Sequence, residues 1–311
     1  GTSVEARWVG CCENEAVRFE NDGGLLTVSL DELSSVRFAH PIEPSASATI
    51  FHLSDGGKLF GDLTGGAGDS LTARVSFSLD LRLSFSALAG VRLIASDSAE
   101  KSAELFESAL GARLPGQDVL VTRGPDEIKA LRGRLESLGP VSGSFVYGEK
   151  SRTFQNDKIF GVVFAEGVAK DRVDSCTVEL IDGSTFSGSI ESADRDRLRV
   201  AASFGTTIDL SLSQIQRLLF RSPRVAYLSD MPVAAERIEG RLHRPWPIRR
   251  DRNVANGPLS LDGRTFDKGL GVHARTELDF ELAARYETFV ATIGIDDAVR
   301  PQGVVEFRVL G

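Results

Sequence analysis

Trp246 stands between Pro245 and Pro247, four residues before the run Arg250-Asp251-Arg252-Asn253, and His273 follows twenty residues after that run. The two prolines exclude regular helix or a central strand around the tryptophan and favour a surface loop. An indole face in such a loop is what the axial C–H groups of a pyranose pack against, while planar polar groups catch its paired hydroxyls. Asp251, Arg252 and Asn253 supply those planar groups, and a neutral His273 adds a donor and an acceptor in one ring. Each residue also has a structural reading: Trp246 as a core plug, Asp251-Arg252-Asn253 as a turn with internal salt bridges, His273 as a satisfied residue at a strand end. Asp296 and Asp297, after the apolar run 289–295 read as a strand, are candidate calcium ligands or simply the turn that ends the strand. They make a poor glycosidase pair, because adjacent residues at a strand end point apart.

Other chemistry is hard to assemble. The first 221 residues hold only His40 and His52 of the four histidines, with no Gly-x-Ser-x-Gly elbow, His-Glu-x-x-His or P-loop. No nucleophile is matched to a base, so the chain is expected not to be an enzyme. Cys11, Cys12 and Cys176 are too few for a disulfide framework or a four-ligand zinc site. Adjacent cysteines rarely pair, which leaves Cys11 or Cys12 meeting Cys176 as the alternative. The arginines at 237, 241, 244, 249, 250 and 252, with His243, form a basic stretch open to two readings, a solvated loop or an anion site.

The elements that must carry these residues are strands. Residues 48–94 and 175–221 match without gaps at an offset of 127: Asp55-Gly56 falls on Asp182-Gly183, Gly61 on Gly188, Leu71 on Leu198, Phe77 on Phe204, Leu81 on Ile208 and Leu83 on Leu210. This is an internal repeat. Alternating apolar residues, an Asp-Gly turn that supplies positive φ, and a glycine within the second strand describe a small, sharply bent β-unit of five strands. The pattern looks like an SH3-like or Sm-like barrel. Weaker copies fall near 4–39 and 118–165, and residues 99–110 predict a helix ended by Gly111, with Leu105, Ala109 and Leu110 on one face.

In the last part of the chain the order Tyr227-Leu228-Ser229-Asp230, Trp246, Asp251-Arg252-Asn253, then Phe266-Asp267-Lys268-Gly269-Leu270-Gly271-Val272-His273-Ala274 resembles the NPCBM family. The resemblance implies a galactose-binding-like β-sandwich, or jelly roll, that recognises carbohydrate without transforming it, in a secreted, periplasmic or cell-envelope protein. Family members run on for several more strands beyond the position of Gly311, so the resemblance implies a module incomplete at its C-terminus. Calcium enters only as a structural ion at Asp296 and Asp297, and no other cofactor is expected.

Composition agrees with an ordinary globular chain: 311 residues, 41% hydrophobic, net charge −8. Residues 1–220 carry 22 Lys+Arg against 31 Asp+Glu, and residues 221–311 carry 14 against 13, which sets a boundary near 221. The acidic first part argues against nucleic acid as a partner, and no apolar window is long enough for a membrane span. The expected fold is all-β: paired β-units over 1–95 with the first one partial, a helical connector over 96–117, a second pair over 118–221, and the sandwich over 222–311. The expected role is glycan binding by the last domain, with the units as a stalk or as a docking surface for other envelope proteins. The alternative is a protein–protein scaffold whose sandwich binds no sugar.

Overall fold

The structure, a computed structural model, describes residues 4–13, 16–43, 45–47, 49–93, 100–123, 128–167, 175–221, 225–239, 247–255, 257–266, 268–283, 286–299 and 304–310. Two compact units divide the chain, Gly1–Ser222 and Pro223–Gly311.

The first copy contributes β1 (Arg7–Glu13), β2 (Ala16–Asn21), β3 (Gly24–Ser29) and β4 (Ser35–Arg37). The second copy is complete. β5 (Thr49–Leu53), β6 (Lys58–Ala67), β7 (Ser70–Val75) and β8 (Ser78–Ser84) pair in succession, a 3-10 turn spans Phe85–Ala87, and β9 (Leu88–Leu93) returns to β5. After α1 (Glu100–Gly111) the third copy repeats this order with β10 (Asp118–Thr122), β11 (Ala130–Leu138), β12 (Ser142–Tyr147), β13 (Lys150–Gln155) and β14 (Ile159–Val163). The fourth follows with β15 (Cys176–Leu180), β16 (Thr185–Ala193), β17 (Arg197–Ala202), β18 (Thr207–Ser211) and β19 (Ile215–Phe220). The strands run together as one 19-stranded sheet and close no separate barrel.

The repeat has a physical core. Phe51 and Leu53, with Val178 and Leu180, are at most 2% exposed on their alternating face. Gly61, Gly133 and Gly188 occupy one equivalent place, and a Cβ there would lie 2.3, 2.0 and 2.8 Å from the carbonyl oxygens of Arg74, Val146 and Ala201. Only a bare Cα lets the second strand press that closely on the third. A bulge follows in each of these three copies, at Leu63/Gly65, Leu135/Ser137 and Ile190/Ser192, and turns the strand further.

Pairing between copies is nested. The last strand of the second copy joins that of the third, with Val91 opposite Val162, and the last strand of the first joins that of the fourth, with Val36 opposite Leu218. The Asp-Gly turns tie the second copy to the fourth: one Asp55 oxygen accepts the Gly57 amide at 2.8 Å and the other accepts Ser187 N at 2.9 Å and Ser203 Oγ at 2.7 Å. Trp8 fixes the first copy on the fourth by donating from Nε1 to the Asp194 carbonyl at 2.8 Å while packing on Phe19 and Phe38.

The predicted helix forms, and its key is Phe106. This residue is fully buried in a slot made by Gly90 and Gly161, whose Cβ atoms would lie 3.1 and 2.8 Å from its ring. Its ring meets His52 at 5.4 Å and Phe160 at 5.8 Å. Cys11 is disulfide-bonded, whereas Cys176 is a buried thiol, so the two do not bridge.

The second unit is built from short antiparallel pairs: β20 (Ala235–Ile238) with β25 (Thr276–Asp279), β21 (Arg249–Arg250) with β24 (Leu270–Gly271), and the hairpin of β22 (Leu259–Leu261) and β23 (Arg264–Phe266). The strand expected over 289–295 does not form. That segment pairs with no strand among the described residues, and Val290 is 85% exposed.

Candidate functional site

The pairing of β21 with β24 brings the Asp251 run to the Lys268-Gly269 turn. Asp251 adopts φ 57°, and its amide donates to the Gly269 carbonyl at 2.8 Å while its Oδ1 accepts the Gly269 amide at 3.0 Å. Gly271 is required beside it, because a Cβ would lie 2.3 Å from the Arg252 carbonyl oxygen. Lys268 Nζ then bridges Asp251 Oδ2 at 2.9 Å and Asp230 Oδ1 at 2.5 Å. Burial alone pulls the ammonium down, but the hydrogen bonds and charges of the two carboxylates outweigh it and hold Lys268 above the ordinary lysine value. Arg250 Nη1 completes the frame by donating to the carbonyls of Ser229 at 2.6 Å and Met231 at 2.7 Å, which pins the 3-10 turn Leu228–Asp230.

Asn253 works inside the fold. It is 6% exposed, its Oδ1 accepts the amides of Ala255 at 3.0 Å and Gly257 at 2.8 Å, and its Nδ2 donates to Asp296 Oδ1 at 3.1 Å. Asp296 also accepts Ser260 N and Ala298 N, at 3.1 and 3.0 Å. Asp297 grips the β22–β23 hairpin, accepting Ser260 Oγ at 2.6 Å, Gly263 N at 2.9 Å and Asp262 N at 3.0 Å. The turn it holds has φ 54° at Asp262 and 72° at Gly263, the positive pair of a tight hairpin. The two aspartates therefore act as hydrogen-bond clamps between the hairpin and the Asn253 loop.

Of the residues singled out in the sequence, Asp251 joins the lysine bridge, Asn253 joins Asp296, Asp297 joins the β22–β23 hairpin, Arg252 is exposed and His273 is half-buried just past β24. Trp246 lies outside the described residues. The lysine bridge was missed by residue-level reasoning. Its signal was in plain view, since Asp230 and Lys268 both lie within the quoted motifs.

The second unit thus combines short strand pairs with a charged cluster of Asp230, Lys268 and Asp251 beside the Asp251-Arg252-Asn253 run. Residues 224–311 match the NPCBM/NEW2 domain, so the C-terminal part of this protein is an NPCBM domain and carries a carbohydrate-binding role. The chain is also 32% identical over 130 residues to a protein of Renibacterium salmoninarum named as a candidate endo-alpha-N-acetylgalactosaminidase. That match takes in 37% of this chain and 8% of the relative's length. Among the described residues no helix is long and apolar enough to cross a membrane.

Proposed function

We propose that residues 224–311 bind a galactose-like or related cell-surface sugar, that the protein is non-catalytic and extracytoplasmic, and that the strand repeats serve as its stalk or docking surface. The observation that carries this reading is the NPCBM/NEW2 match over those residues. Trp246 provides the stacking face, while Arg252, His273 and the half-open Asp230–Lys268–Asp251 cluster, with side chains 31–48% exposed, address hydroxyls. The galactose preference is supported by the relative's name, which concerns N-acetylgalactosaminides.

Calcium is not required in this reading. Asp296 and Asp297 each accept three protein hydrogen bonds, so a cation would have to displace donors that already close the loops. The same engagement argues against using the pair as glycosidase acid and nucleophile. A glycan array probed with the chain in the presence and absence of EDTA tests the proposal. Retention of galactose- or N-acetylgalactosamine-terminated glycans in both conditions is expected. Retention of none by the folded protein would favour the protein–protein scaffold.

A further inference from the structure

The copies can be compared place by place, because Phe51 faces Val91, Leu120 faces Val162 and Val178 faces Leu218 in the same register of first and last strands. Near the 3-10 turn the second copy closes its core with Leu53 and Leu81 and the fourth with Leu180 and Ile208, all at most 6% exposed. By the same registers the third copy has Thr122 and Arg152 at those places. A second difference lies in the hairpin. Phe77, just past β7, reaches Phe186 of the fourth copy at 5.9 Å, and Phe204, just past β17, reaches the same ring at 5.6 Å. In the third copy the corresponding connection is only Gly148-Glu149, with φ 55° and 64°, and carries no aromatic residue.

The consequence is an open groove of about 510 Å³ at this end of the third copy. Leu131, the counterpart of Phe186 by strand register, lines it together with Leu120, Phe145 and Ile159. Its rim carries Tyr147, 44% exposed, and the cations Lys129, Arg152 and Lys158. No carboxylate lines it among the described residues, although the chain holds 44 acidic against 36 basic side chains. The pair of Lys158 with Asp157 at 3.5 Å is largely exposed, at 73% and 69%, and competes weakly.

We propose that this groove docks an acidic segment of a partner protein that inserts a phenylalanine side chain. The repeat itself offers a precedent, since Phe77 of the second copy seats on Phe186 of the fourth, the residue whose counterpart in this groove is Leu131. The cationic rim selects carboxylates flanking that anchor.

The test is calorimetric titration of the whole chain with the capped pentapeptides EEFEE, EEAEE and KKFKK. Saturable binding of EEFEE is expected, weakened at least about tenfold in EEAEE and by raised salt. Arg152→Leu restores the residue type of the other copies and is expected to lose at least about tenfold in affinity with unchanged circular dichroism. Arg152→Glu, at an exposed position, is expected to weaken EEFEE and strengthen KKFKK. No saturable binding of EEFEE, equal binding of EEAEE, or insensitivity to Arg152→Glu would overturn the proposal. So would stronger competition by an anionic oligosaccharide, or loss of peptide binding as the chain self-associates.

Discussion

Lys268 shows how one residue couples the candidate sugar face to folding. Its ammonium is raised above the ordinary lysine value by Asp230 and Asp251 against the opposing effect of burial. A raised folded value means that its contribution is complete below the unfolded lysine value near 10.4 and disappears as pH climbs through the folded value. Replacing Lys268 by Met should therefore destabilise the NPCBM domain by about 1 kcal/mol at neutral pH, a modest figure because the cluster is partly exposed. It should also flatten the domain's alkaline unfolding, measured by urea denaturation across the alkaline range. Asp297 makes a separate prediction. Asp297→Asn keeps the shape but replaces one acceptor oxygen with a donor NH₂, so the amides of Asp262 and Gly263 lose charge-assisted bonds and should exchange markedly faster in hydrogen–deuterium measurements. At this scale the sequence revealed the residue types, but not their engagement. Asn253 offers planar polar groups on paper, and only the loop path from Gly257 to Asp296 shows that its amide closes the fold.

At the scale of elements, α1 rests through Phe106 on the half-buried imidazole of His52. Desolvation, then the charges of Arg92 and Lys58, push the His52 imidazole down to about 4, and its Nε2 is buried without a partner among the described residues. The unfolded chain takes up a proton near pH 6.5, well before the folded one does. Stability is therefore whole above that pH and falls as pH drops towards 4, by roughly 2 to 3 kcal/mol. His52→Leu should remove that slope from the pH dependence of urea unfolding for residues 1–222; an unchanged slope would assign it to other groups. The strands, their Asp-Gly turns and the bending glycines were legible because they are local: period-two alternation, positive φ and a missing Cβ each leave a mark in one window. Phe106 was less visible, since its importance depends on Gly90 and Gly161 lying side by side on β9 and β14. The run 289–295 has strand composition, yet composition alone supplies no neighbour to hydrogen-bond.

The nested arrangement belongs to the whole molecule. Strands of copies far apart in sequence pair through β4–β19 and β9–β14, and such edge choices are decided by packing that no single repeat encodes. The boundary itself was readable in the change of charge near residue 221, and it coincides with the division into Gly1–Ser222 and Pro223–Gly311. Each unit then has its own recognition chemistry: a cationic, apolar groove in the first and the NPCBM face in the second. The most direct test of the account is calorimetric titration of N-acetylgalactosamine and galactose into the full chain, beside its Trp246→Ala and His273→Ala variants. Saturable heat from the parent, with affinity reduced at least about tenfold in both folded variants, is the predicted result. A folded parent that gives no heat with either sugar, or variants that bind as well as the parent, would contradict it.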